Sequence, residues 1–236
     1  MKHHGQQRRY LVTGASSGIG LALVRRLVLR GDAVLSTGRR AAADLPADFP
    51  DCSYLQADLV APASVAMLAR WVTGRLDGAI LNADVGYFRP LEAETAEDIA
   101  AVIVTNFTAP VALAHALYPA LAATKRRLGL VGSVARKGTA RMPLYAASKA
   151  AIDGFGRALA AEWRGRATMR VLHPGPTATR MAVRAGRTPD LADRLMLPPD
   201  AVEAALLAAL DASRGGFRRN VSYQQVAMHR LFRGCA

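Results

Sequence analysis

The chain reads as one α/β domain, a doubly wound parallel β-sheet with helices on both faces. Short β-rich runs alternate with longer helical stretches from end to end, the pattern of strand-helix-strand units. The first run ends in a glycine-rich turn that opens directly into an apolar helix. The 236 residues, 51% hydrophobic, suit a single core, because such cores keep growing to about 250 residues.

The first strand is expected over 10–13 and is followed by Gly14-Ala15-Ser16-Ser17-Gly18-Ile19-Gly20. The helix after it carries Leu21, Val24, Leu27 and Val28 at helical spacing. Five further strands are expected over 33–36, 52–56, 78–81, 128–131 and 169–172. Helices over 64–75, 96–123 and 144–164 separate most of them. The polar, proline-containing stretch 176–199 reads as a mobile flap over a substrate, and residues 1–8 as a flexible basic N-terminus.

Composition narrows the function. No run of 18 or more uncharged apolar residues occurs, and 21–29 is cut by Arg25 and Arg26, so no membrane segment is expected. The basic start leads straight into a strand without a hydrophobic core and cleavage site, which predicts a cytoplasmic protein. Cys52 and Cys235 are the only cysteines, too few for a disulfide framework or a metal cluster, and read as free thiols. His3, His4, His115, His173 and His229 show no ligand spacing, so no metal is expected. The net charge of +13, from 31 basic and 18 acidic residues, comes mainly from scattered arginines without a block of five or six. That is a surface bias rather than the footprint of a nucleic-acid binder.

In doubly wound sheets ligands bind beyond the carboxyl ends of the strands, which selects 14–20, Arg39, Arg40, Asp58, 82–86, Ser133 and 173–179. The G-x3-G-x-G turn leaves room for a pyrophosphate to reach backbone N–H groups at a helix N-terminus. After the second strand, Arg39 and Arg40 stand where NAD enzymes carry an acid for the ribose 2′-hydroxyl. A guanidinium fork clamps a 2′-phosphate with about 4 kcal/mol near 4 Å before desolvation, so NADP(H) is expected over NAD(H). Two solvated arginines at a loop start are the competing reading. Asp58 is placed to accept from an adenine amine, or is a plain loop aspartate.

Tyr145 and Lys149 lie four apart on one helix face. Bringing a phenol from a pKa near 10 to about 7 takes roughly 4 kcal/mol, and a lysine cation is a suitable source. Ser133, at the end of the fifth strand, is placed to donate to a substrate carbonyl oxygen while Tyr145 delivers the proton. Tyr-x3-Lys alone says little; following the glycine turn in one chain, it points to carbonyl chemistry.

Thr13-Gly14-Ala15-Ser16-Ser17-Gly18-Ile19-Gly20, Asn82-Ala83, Asn106, Ser133, Tyr145-Ala146-Ala147-Ser148-Lys149 and Pro174-Gly175 together resemble the short-chain dehydrogenase/reductase family, over practically the whole chain. The resemblance implies a Rossmann-type fold, a homodimer or homotetramer, and a catalytic tetrad of Asn106, Ser133, Tyr145 and Lys149. In it Asn106 holds a water that links Lys149 to solvent, and Lys149 grips the nicotinamide ribose. It also implies cofactor contacts from Gly14, Ser16, Ser17, Gly18, Ile19 and Gly20, from Asp58 and Leu59 to the adenine, and from Asn82 and Ala83 to the adenosine ribose. Pro174, Gly175, Thr177 and Thr179 complete that set, Thr179 at the carboxamide.

Two of four positions depart from the family at one turn, which usually reads Asn-Asn-Ala-Gly where this chain has Leu81-Asn82-Ala83-Asp84. Asp84 either adds bulk and negative charge beside the dinucleotide and weakens its binding, or points outward into the following loop with Gly86 supplying flexibility. The completeness of the catalytic set favours the outward reading. Val85, Tyr87, Phe88, Val134, Arg136, Met142, Leu144, Pro176, Met181 and Met196 are expected to line a largely apolar substrate pocket. Arg136, Lys137, Arg141, Arg180 and Arg184 form a rim for an anionic or carrier-bound substrate, or are plain surface residues. His173 reads as structural. The function expected is interconversion of a carbonyl and an alcohol with NADP(H), including a 3-oxoacyl-carrier-protein-type reductase as a special case. A nucleotide-binding regulatory or redox-sensing protein of the same fold is the alternative.

Overall fold

The computed structural model describes residues 7–123, 126–179, 181, 185–186, 196–212 and 218–221. Seven strands run parallel in the order β3-β2-β1-β4-β5-β6-β7. They are β1 (Arg9–Thr13), β2 (Ala33–Gly38), β3 (Ser53–Gln56), β4 (Gly78–Leu81), β5 (Arg127–Val131), β6 (Thr168–Pro174) and β7 (Arg218–Val221). The order reverses beside β1, whose neighbours are β2 on one side and β4 on the other. This switch point is where such sheets open a crevice at their carboxyl edge.

Helices α1 (Gly18–Leu29), α2 (Pro62–Trp71), α3 (Ala96–Ile103), α4 (Ala109–Ala123), α5 (Pro143–Glu162) and α6 (Pro199–Asp211) cover the two faces. Alternation along the strands divides the core. Leu11, Ala79, Leu128 and Val171 pack under α2, α4 and α5, while Tyr10, Val12, Ile80 and Leu172 pack under α1 and α6. Neighbours in a strand point to opposite faces, so each central strand feeds both clusters.

All six expected strands form. β7 extends the sheet, pairing Val171 with Arg218 through Pro174 with Val221. Its Arg-Arg-Asn-Val sequence has no apolar alternation, so periodicity gives no sign of it. The segment expected to be one helix over 96–123 is instead interrupted by a π-turn at Val104–Thr108. Such a turn leaves the local composition helix-like and escapes pattern reading. By length and composition 96–123 also suits a membrane span, yet Leu113, Leu117 and Leu121 are buried in the core against the sheet.

Within the stretch 176–199, residues 180, 182–184 and 187–195 lie outside the described residues, and its two described ends meet. Thr177 and Leu197 form a parallel bridge, and Leu197 N donates to Pro176 O at 2.9 Å while Ala178 N donates to Leu197 O at 2.8 Å. Pro199 starts α6 rather than closing a loop. Arg180 and Arg184 lie outside the described residues, as do Cys235, His3, His4 and His229. Cys52 is a half-buried free thiol, raised in pKa chiefly by burial.

Candidate active site

A cleft of about 1210 Å³ opens at the carboxyl edge of the sheet, larger than most small-ligand pockets. At one end the turn after β1 is pressed against the turn after β4. Gly14 and Gly18 have φ of +68° and +57°, values that L side chains rarely adopt. A Cβ on Gly14 would stand 2.8 Å from Ala83 Cα, and one on Gly20 would stand 2.1 Å from the Gly14 carbonyl. Thr13 locks the junction, its hydroxyl accepting from Asn82 N at 2.9 Å and Ala83 N at 3.0 Å. The Asn82 amide donates back to Thr13 O at 3.1 Å. The turn therefore presents bare backbone at the start of α1, the surface a pyrophosphate requires.

Ser16, Ser17, Gly18, Ile19, Arg39, Arg40, Asp58, Leu59, Asn82 and Ala83 all line this end of the cleft. Gly20 does not; its absent side chain lets α1 close on the turn. The backbone carbonyls of Arg39 and Arg40 accept from Gln56 at 3.2 Å and Tyr54 at 2.8 Å, which fixes the loop beneath the two guanidiniums. No carboxylate pairs with either guanidinium among the described residues. The Asp58 carboxylate accepts from Val60 N at 3.1 Å, shaping its own turn. These features fit a dinucleotide: a glycine cradle, a basic corner and a long cleft.

The opposite end holds the residues expected to be catalytic. Ser133 follows β5, and Tyr145 and Lys149 lie one turn apart on α5, both buried. The Ser133 hydroxyl accepts from Ala135 N at 3.1 Å and reaches the Tyr145 phenol. Lys149 is sealed in, at 1% exposure, with its ammonium 3.1 Å from Val131 O. Asn106, carried by the π-turn, donates to Val85 O at 2.7 Å and Ser148 Oγ at 3.1 Å, and accepts from Val85 N at 2.9 Å. Both amide hydrogens of Asn106 are thus committed to the turn after β4 and to α5.

Asp84 does not point outward. Its Oδ2 accepts from the Tyr145 phenol at 3.1 Å, and its Oδ1 lies 3.0 Å from the Lys149 ammonium. The outward reading is overturned because the backbone of Val85 is clamped by Asn106, which aims the preceding side chain at α5. Burial pushes the Asp84 carboxyl above its ordinary range against the opposing pull of Lys149. Burial and the neighbouring Asp84 charge also push Tyr145 well above the usual phenol value, opposed by the Ser133 hydrogen bond. The lysine was expected to lower the phenol; burial first, and the Asp84 carboxylate second, act in the opposite direction.

Val85, Tyr87, Phe88, Val134, Met142, Pro176, Met181 and Met196 line the catalytic end, together with Pro174, Gly175, Thr177 and Thr179. Leu144 is not among the lining residues: it is half-buried on α5. Arg136 is turned toward Asp153 at 3.8 Å and Arg141 stacks over Phe88 at 5.2 Å; neither lines the cleft, nor does Lys137. His173 is fully buried, with Nε2 2.9 Å from Asp153 and Nδ1 3.2 Å from Ser133 O, a bracing position behind the Ser133 strand end. Ala135 and Val131 are neighbours of the site that sequence reading missed, since each acts through its backbone, Ala135 N donating to Ser133 and Val131 O accepting from Lys149.

A family model described as short chain dehydrogenase matches residues 8–190. A 1-deoxy-11-beta-hydroxypentalenate dehydrogenase of Streptomyces avermitilis is 36% identical over 75% of this chain and 72% of its own length. A cyclic-di-GMP-binding biofilm dispersal mediator protein of Escherichia coli is 34% identical over 79% of this chain and 80% of its own. Among solved structures, a short-chain dehydrogenase from Sphingobium yanoikuyae in complex with NADPH superposes with a TM-score of 0.79 at 26% identity, covering 97% of this chain and 94% of the other.

Proposed function

The chain belongs to the short-chain dehydrogenase family, and on that premise we propose that it interconverts a carbonyl and an alcohol with NADP(H) as the preferred cofactor. The reading is carried by one observation: the Ser133 hydroxyl and the Tyr145 phenol converge on the wall of a cleft whose far end is a glycine cradle. A nicotinamide cofactor held by the glycine cradle would supply or accept the hydride. Ser133 orients the substrate oxygen, Tyr145 gives the alkoxide its proton, and in the reverse direction takes it back. The cradle of Gly14 and Gly18 takes the pyrophosphate, and Arg39 and Arg40 favour the phosphorylated ribose.

The mostly apolar lining supports a hydrophobic ketone or aldehyde. Arg141, stacked over the lining residue Phe88, leaves room for an anionic or carrier-bound one, as a 3-oxoacyl thioester would be. A homodimer or homotetramer working in the cytoplasm completes the reading. NADPH oxidation assayed against a panel of apolar ketones and 3-oxoacyl thioesters tests it, with Tyr145→Phe as control. Turnover by the wild type and loss in the variant support it; turnover retained by Tyr145→Phe overturns the assignment of the proton donor.

A second reading has its own support in the likeness to the cyclic-di-GMP-binding mediator and in the ion pair that Lys149 makes with Asp84. It makes the chain a nucleotide-binding regulator with little catalysis. NADPH or cyclic-di-GMP binding without turnover of any carbonyl distinguishes it.

A further inference from the structure

We propose that Asp84 is a positioning residue that holds the proton of Tyr145 by bridging the phenol and the Lys149 ammonium, so that the centre rests in its proton-loaded form. The inference deepens the oxidoreductase reading above and rests on Tyr145 as the proton-transferring group. Its basis is geometric. One carboxylate oxygen is 3.1 Å from the Tyr145 oxygen and the other 3.0 Å from the Lys149 nitrogen. The carboxylate thus contacts the phenol and the ammonium at once, one oxygen to each. The Asn106 clamp on Val85 and the nearly complete burial of Lys149 hold the bridge in place. Bridged in this way, the lysine charge is spent on a carboxylate, and a phenolate would sit against a negative neighbour.

The other charged and titratable groups nearby are occupied with one another. On the turn after β4, Tyr87 lies under the Arg89 guanidinium at 4.4 Å and is hydrogen-bonded to Asp98. On β6, His173 is held by Asp153 and the Ser133 carbonyl. Following β5, Arg136 leans on Asp153 at 3.8 Å. The π-turn contributes only the neutral Asn106. Among the described residues, Asp84 and Lys149 are the charged groups that reach Tyr145.

The consequence is a pH dependence. A neutral phenol is the form consumed when a carbonyl is reduced, whereas alcohol oxidation requires the phenolate. Removing the carboxylate charge restores the direct action of Lys149 and makes the phenolate accessible at lower pH.

The test needs no cofactor. The wild type, Asp84→Asn and Asp84→Gly are titrated to alkaline pH and followed by phenolate absorbance, and the Tyr145→Phe spectrum is subtracted to isolate the one residue. Circular dichroism confirms that each variant is folded; Asp84→Gly carries the test if Asp84→Asn is not. Tyr145 is expected to ionise at least about one pH unit lower in the variants, a tenfold change in proton affinity. The acid limb of alcohol oxidation should move by a similar amount. Coincident titrations of folded wild type and variants overturn the proposal. Failure of the wild type to turn over any carbonyl would remove the oxidoreductase reading, while the titration still decides the role of Asp84.

Discussion

The carboxamide of Asn106 grips both backbone groups of Val85, accepting from its N–H at 2.9 Å and donating to its C=O at 2.7 Å. This joins the π-turn to the loop that carries Asp84, and the remaining amide hydrogen reaches Ser148 on α5 at 3.1 Å. A side chain that is 2% exposed and fully hydrogen-bonded is a structural joint as much as a catalytic candidate. Asn106→Ala should lower stability by about 1–3 kcal/mol, since buried partners are left unsatisfied, and should reduce carbonyl reduction further than that loss explains. Thermal unfolding beside steady-state kinetics checks both; an unchanged Tm would show that the clamp carries no weight.

Cofactor choice should follow Arg39 and Arg40. Arg39→Asp combined with Arg40→Ala is expected to reduce the preference for NADPH over NADH by about ten- to a hundredfold, the range of one or two charge-assisted contacts. The ratio of the two kcat/KM values measures it. An unaltered ratio means that neither guanidinium meets the 2′-phosphate.

The glycine cradle should tolerate no side chain. In Gly14→Ala a Cβ 2.8 Å from Ala83 Cα adds to a strained backbone at φ +68°, and NADPH binding is expected to weaken by about a hundredfold or more. Fluorescence titration with NADPH reads this directly, and near-wild-type affinity would refute the assigned role of the turn.

Asp84→Gly removes a negative charge from the cleft wall as well as the bridge to Tyr145. NADPH should bind about tenfold more tightly, as one fewer like charge faces the dinucleotide. Calorimetric titration of both proteins decides it; equal affinities would mean that Lys149 already screens the carboxylate fully.

Acid stability should depend on Asp77, buried at the strand entrances. Its carboxylate accepts from Arg9 N at 3.0 Å and Arg75 at 2.8 Å, and pairs with Arg126 at 3.0 Å. Burial alone would raise this acid; its partners outweigh burial and hold it below the ordinary carboxylate value. A carboxyl depressed in the folded state contributes stability above its unfolded value, near 3.9, and loses it as pH falls through the folded value. Asp77→Asn should therefore cost about 2 kcal/mol at neutral pH, roughly 4–8 °C in Tm. The gap to wild type should narrow below about pH 4, and a gap independent of pH would contradict the assignment.

Much of this molecule was legible before its structure. Short β-rich runs separated by helical stretches specify a parallel sheet because each crossover needs a covering helix, and all six expected strands form. The glycine turn was readable because its spacing sits between a strand and a helix, where only bare backbone allows the close approach to Ala83. Tyr145, Lys149 and Ser133 were readable by order and strand-end placement. β7 and the π-turn were not, because they depend on neighbours remote in the chain or leave local composition unchanged; α6, with Pro199 at its start and an Ala- and Leu-rich run, was obscured by the adjoining flap reading.

The layered fold and the glycine cradle follow from periodicity and glycine geometry, and residue chemistry alone singled out Tyr145, Lys149 and Ser133 as candidates. The direction of Asp84 is set by packing alone. Its orientation depends on a carboxamide 22 positions downstream, on a helix beginning beyond residue 140 and on a buried ammonium. A side chain's charge is written in the chain, whereas the partner it meets is chosen by packing. Here that packing sets Asp84 between the phenol and the ammonium.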